Sequence, residues 1–370
     1  MPSDTSGPRV TGEAILYRLF DVGYEIRLDK VFDLLSPSAP ERPKPVRGEA
    51  HALRILNPPV TVSLGTESIV IGDRSQPIEV SARIFDFGVI SLRARLPVAS
   101  IAWGEFVAHG VAAGASQVWG LFAPCRNRLL ERIHPAIERR SVASVTEEYI
   151  VYRLNSVEDA SGNSLLPDVL PDDDIAKLLV GEVRTLDAGA RGELLSQRFS
   201  YFEDDLAVLT WNAALVVERV PADEDVPYVL EFANAQLLEL RYHDSLLDDE
   251  LPRTYNEIAA ARGRFHFLGR RYSRLLGLLQ TRVADATEAV ERVDNALRVT
   301  DDVFLARIYS TAMDIFRAPT WRRGIDRKVA IIRDAYVMLN GEAQARRAEV
   351  MELTIIALIA LEILLALVRH

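Results

Sequence analysis

The sequence predicts an α+β chain: an N-terminal mixed α/β domain with a partly antiparallel sheet, then long antiparallel heptad helices ending in a C-terminal apolar transmembrane helix. Three observations predict it. Up to residue 221, short runs with period-two alternation are interleaved with helical segments. From Asp225 onward only helical periodicity remains. The final run, LTIIALIALEILLALV (Leu353 to Val368), is apolar apart from Thr354 and Glu362. The expected divisions are a disordered tail over 1–10, an α+β domain over 11–222, a helical stalk over 223–350 and a transmembrane helix over 351–369.

In chain order, ILYRLFDVGYEIRL alternates well enough for a strand or hairpin. Ser36 to Arg47 (SPSAPERPKPVR) is too rich in Pro for helix or central strand and reads as a surface loop. SIVIG and IEVSARIFDFGVISLRARLP read as strands, the second a hairpin turning near Asp86-Phe87-Gly88. Trp119 to Arg140 is a helical candidate, Glu147 to Leu154 a strand and Ile175 to Leu186 a helix. A β-rich run, SQRFSYFEDDLAVLTWNAALVVERV, closes the domain.

The helical half carries two heptad seams. Tyr272, Leu276, Leu279, Val283, Ala286, Val290, Val293 and Leu297 step alternately by four and three, the repeat that keeps one stripe facing a partner helix. Ile325, Val329, Ile332, Tyr336, Leu339, Ala343, Arg346 and Val350 repeat it, and Leu353, Ala357, Ala360, Leu364 and Leu367 continue it to the end. Between them lies a short helix with Thr300 as expected N-cap and Pro319 after its end. Two seams of equal length suggest an antiparallel hairpin. The uninterrupted helix from Trp321 to Arg369 would be about 70 Å long, which fits a stalk standing on a membrane.

The apolar end reads as a tail anchor in a bacterial inner membrane, with the body on the cytoplasmic side, because Arg346 and Arg347 precede it and positive flanks stay inside. It is about 24 Å of helix against a hydrocarbon core of about 30 Å. Glu362 would then be an intramembrane acid and must avoid lipid. It falls about 200° from Ala360, opposite the seam, which predicts a homo-oligomer larger than a dimer.

Two stretches concentrate charge. In Val226 to Tyr255, Asn234, Arg241, Asp244 and Asp248 fall within the apolar face set by Leu230, Ala233, Leu237, Leu240, Leu247 and Leu251, whereas Glu239 and His243 point away. Buried charges must be paired, so these four residues are expected to form a structural polar network. In Ala261 to Ala284, Arg264, Arg270, Arg271, Arg274 and Arg282 interleave with aromatic residues without an acidic residue. Such a stripe can meet RNA or anionic lipid, or acidic residues of its own chain.

Composition and motifs exclude several classes. The net charge of -10 argues against a dedicated nucleic-acid binder, and a single cysteine, Cys125, excludes a disulfide framework and a thiolate metal cage. No glycine-rich phosphate loop, HExxH, CxxC or GxSxG occurs. The six histidines have no ligand spacing, and Asp172 to Asp174 reads as a solvated or helix-capping loop. No catalytic, cofactor-binding or metal residue is assigned.

EFANAQLLELRYHDSLLDDELPRTY, TWRRGIDRKVAIIRDAYVMLNGEAQARRAEVME and the apolar end together resemble the domain-of-unknown-function 155 family, named for "required for meiotic nuclear division", over roughly Ile84 to the C-terminus. The resemblance implies a bacterial member of a family with an oligomeric inner-membrane relative associated with mitochondrial translation. It implies no catalytic residue. The reading is a membrane-anchored homo-oligomeric scaffold whose partners are its own copies, membrane lipid, and RNA or ribosome-associated proteins. The alternatives are an ion-conducting assembly with Glu362 in the pore, and an enzyme with an unrecognised site.

Overall fold

The computed structural model describes residues 7–36, 57–71, 74–115, 117–140, 145–219, 225–262 and 302–368, with a few positions between 277 and 291. The chain divides into two compact units, residues 1–242 with 293–319, and residues 243–292 with 320–370.

The first unit is built on an eight-stranded mixed sheet in the order β3-β4-β5-β1-β7-β10-β9-β8. Its strands are β1 (Arg9–Asp21), β3 (Val60–Ile71), β4 (Arg74–Ile84), β5 (Val89–Ala102), β7 (Thr146–Glu158), β8 (Arg198–Phe199), β9 (Leu206–Leu209) and β10 (Ala213–Val217). All neighbours are antiparallel except β10, which runs parallel to β7. Strand β1 begins at Arg9, inside the stretch expected to be a disordered tail. ILYRLFDVGYEIRL does not fold back as a hairpin: β2 (Gly23–Ile26) pairs with β6 (Ile137–Arg140) in a separate ribbon. Gly88 makes this possible. It sits at φ +93°, and a Cβ there would lie 1.8 Å from the Gly23 carbonyl oxygen.

Period-two alternation gives the sheet two unlike faces. One is apolar. Ala14, Leu16 and Phe20 of β1, Leu92 and Ala94 of β5 and Tyr152 of β7 pack there with α1 (Leu28–Leu35), α2 (Trp103–Gly114), α3 (Val118–Ile133) and α4 (Asp172–Val180). Gly110 of α2 lets that helix approach β7, where the Tyr152 hydroxyl donates to the Gly110 carbonyl at 3.2 Å. Asp172, Asp173 and Asp174 form the first turn of α4, where the helix dipole favours negative charge. They pair with Arg198, Arg191 and Lys177; the second of these cations belongs to α5 (Ala188–Leu194). Cys125 is buried in this core.

The opposite face carries Glu13, Tyr17, Arg83, Ser91, Arg93, Tyr149 and Arg153, yet it is also buried. Residues 225–242 of α6 (Asp225–Arg262) and the helix α7 (Val303–Ile315) cover it, through Phe85–Phe232, Phe232–Tyr309 and Tyr149–Phe316 ring contacts. Helix α7 starts at Asp302, whose carboxylate accepts from the amides of Phe304 and Leu305, so the N-cap lies two residues beyond Thr300.

The second unit contains the rest of α6 and most of α8 (Ala318–Val368). The expected transmembrane helix is corrected here. Among the described residues no helix is long and apolar enough to cross a membrane. The apolar run is short, is broken by Glu362 and follows Glu349 and Glu352 within one turn of helix. The tail anchor and the inner-membrane location fall with it.

Candidate functional sites

Among the described residues, the covered sheet face gathers most of the buried charged side chains of the first unit. Its residues come from simple alternation: in Leu92-Arg93-Ala94-Arg95-Leu96 and Val80-Ser81-Ala82-Arg83-Ile84 each apolar residue enters the α2–α4 core and each polar one faces the other way. Tyr17 stands between Arg93 and Tyr149 in register, and Arg83 is opposite Ser91. The Arg83 guanidinium donates to Glu231 of α6 and lies over the Tyr228 ring, 4.3 Å from its centroid. Arg95 and Arg153 both approach Glu13, at 3.4 and 3.5 Å. Arg241 donates to Glu147.

Burial dominates the electrostatics. Desolvation, reinforced by Arg83, pulls the Arg93 guanidinium below its ordinary pKa, although Glu231 opposes this. Burial pushes the Tyr17, Tyr149 and Tyr228 phenols far above theirs, so all three stay neutral. Desolvation also raises the Glu147 carboxyl, with Arg241 only partly restoring the charged form. Among the described residues no group of His, Cys, Asp and Glu could hold a metal ion. Chemically the layer offers guanidinium donors, carboxylate acceptors and neutral hydroxyls.

The residues singled out from the sequence separate. Asn234 is buried, and its side-chain amide donates within its own helix to the Leu230 carbonyl at 2.8 Å. Arg241 serves the sheet through Glu147. In the second unit Asp244 and Asp248 share Lys328 of α8, at 2.7 and 2.6 Å. Burial lowers the Lys328 pKa, but its two carboxylate hydrogen bonds and their charges outweigh that and raise it. Glu239 and His243 are buried as well, Glu239 within the run 231–240, where every residue of α6 is buried. The stripe Arg264, Arg270, Arg271, Arg274 and Arg282 lies outside the described residues, as does most of the Tyr272 to Leu297 seam. The sequence reading missed Arg83, Arg93 and Glu231. Their alternation was visible, but a solvated face and a covered one alternate alike.

A second site is the end of α8. Ile325 and Ile332, early in the seam, are buried. From Leu353 to Leu367 every described large apolar side chain is 51–71% exposed, and Glu362 is exposed among them.

Residues 11–223, from β1 through β10, match one protein family: uncharacterized protein MJ0711, N-terminal domain. The chain belongs to this MJ0711 N-terminal domain family. A curated relative, the uncharacterized protein MJ0711 of Methanocaldococcus jannaschii, is 26% identical over 195 residues, which is 53% of this chain and 59% of the relative. No solved structure matches. These findings correct the resemblance drawn from the sequence: the family is that of the MJ0711 N-terminal domain rather than the domain-of-unknown-function 155 family, and the relative is archaeal rather than bacterial. The MJ0711 domain match contains every strand of the charged face and stops just before α6, which supplies Glu231.

Proposed function

We propose that this protein is a homo-oligomeric scaffold, larger than a dimer, assembled through the end of α8. The observation that carries the reading is the exposed apolar circumference from Leu353 to Leu367. A helix that is hydrophobic all round is stable only when enclosed. Each Leu or Ile left in water forgoes roughly 1.5–3 kcal/mol of burial. The occupant is a second copy, because the heptad that begins at Ile325 runs unbroken through Leu353, Ala357, Ala360, Leu364 and Leu367, and such a seam is complementary to itself.

Copy number follows from the other side. At about 100° per residue, Ile355, Leu358, Glu362 and Leu365 lie opposite that seam. A two-stranded coil would leave them in water. A closed bundle of three or more helices gives each helix a second contact face, with Glu362 as the polar position that sets register. The scaffold reading needs no catalytic group. The ion-conducting alternative requires a membrane-spanning helix, which the described residues lack.

Light scattering on the full chain tests the reading. The expected mass is at least three times that of one chain, and the double variant Leu353→Asp/Leu364→Asp is expected to be smaller. A monomeric or dimeric wild type, or an unchanged mass in the variant, would overturn it.

A further inference from the structure

In the charged layer under α6, two buried guanidiniums, Arg83 and Arg93, share one carboxylate, Glu231. Arg83 and Arg93 are 8% and 5% exposed, and Arg83 is close enough to disfavour the charge on Arg93, while the nearby carboxylate, Glu231, is hydrogen-bonded to Arg83. Among the described residues no carboxylate forms an ion pair with Arg93. Hydrogen-bonding groups are left over as well, Oε1 of Glu231 among them. Nε of Arg83, Nε of Arg93 and the hydroxyl of Ser91 are buried without a hydrogen-bond partner among the described residues. The three residues are neighbours on one face: Ser91 is opposite Arg83 across β4 and β5, and Arg93 is the next residue along β5 that points the same way.

A guanidinium taken out of water without a counter-charge is costly, and it keeps its proton rather than neutralising itself. The remedy that matches its planar donors is an oxyanion held by two nitrogens at once. We propose that Arg93, Arg83 and Ser91 form a binding site for a small oxyanion, the carboxylate or phosphate group of a ligand enclosed between the sheet and α6. Glu231 orients Arg83 and sets a limit on charge: one singly charged oxyanion makes Arg83, Arg93 and Glu231 neutral together, and a second would have no cation to meet.

The test is thermal unfolding of the full chain at fixed ionic strength in chloride, in inorganic phosphate and in acetate. The wild type is expected to melt higher in phosphate or acetate than in chloride, by several degrees at tens of millimolar anion. Phosphate alone raising the midpoint identifies a phosphate-bearing ligand, and acetate alone a carboxylate. Arg93→Met should lose the anion-specific part of the shift and should melt no lower than wild type in chloride, because it removes an uncompensated buried charge. Ser91→Ala removes one donor from a small buried side chain and should weaken the shift, which keeps the test decisive if Arg93→Met does not fold. Equal midpoints in the three salts, or an undiminished phosphate or acetate shift in Arg93→Met or in Ser91→Ala, would overturn the site.

Discussion

At the scale of single residues, Glu231 is the most sensitive position in the first unit. It is 1% exposed and is the carboxylate beside Arg83 and Arg93. Glu231→Met leaves two guanidiniums facing each other in a desolvated place and should cost about 3–5 kcal/mol in denaturant unfolding, the usual penalty for breaking a buried ion pair. Arg83→Met should cost less, because Arg93 remains to meet Glu231. Equal costs would mean that Arg93 and Glu231 do not sense each other. Glu147 gives a pH signature. Burial raises its folded pKa above the ordinary 4.5, so the folded state holds the proton more tightly than the unfolded chain. Its contribution is therefore fully present below that value and is lost as the pH rises through the higher folded pKa. Glu147→Gln should flatten this fall in stability above about pH 4.5, as read from chemical unfolding at a series of pH values. A slope as steep as wild type would assign the pH dependence to other groups.

At the scale of elements, the sequence showed existence better than pairing. The β4–β5 hairpin was legible because alternation and the Asp86-Phe87-Gly88 turn are local. The pairing of β2 with β6 was not, since it joins residues more than a hundred positions apart. The charged face illustrates the same limit: its residue types were readable, but their burial depends on where α6 lies. In α6 itself the wheel placed Asn234 inside correctly and Glu239 and His243 outside wrongly, because a wheel assumes one wet side. Local packing is tight where α2 meets β7. A Cβ on Gly110 would stand 2.4 Å from Leu178 Cδ1 and 2.8 Å from the Tyr152 ring. Gly110→Ala should therefore destabilise the first unit by about 1–3 kcal/mol, the range for overpacking a filled core. A lowered denaturant midpoint with unchanged oligomeric mass is the expected result, and an unchanged midpoint would show that α2 can shift freely.

At the scale of the whole molecule, two features of the chain ask for partners of different kinds. The MJ0711-type domain encloses a charged layer suited to a small anion, whereas the end of α8 presents hydrocarbon on every side. The apolar run was plain in the sequence, and its length and Glu362 were the clues against a membrane span. What the sequence could not supply was the exposure of that run along its described length. Self-association through the seam is the central claim, and cysteine cross-linking tests it most directly. The natural Cys125 is buried, so single cysteines placed along α8 report on their own surroundings. Under mild oxidation, cysteines replacing Leu353, Ala357, Ala360, Leu364 or Leu367 should form inter-chain disulfides rapidly, with slower formation at Ile355 and Leu358 and chains linked in parallel register. Uniformly slow cross-linking at all these positions, or a pattern without the four-three period, would contradict assembly through this helix.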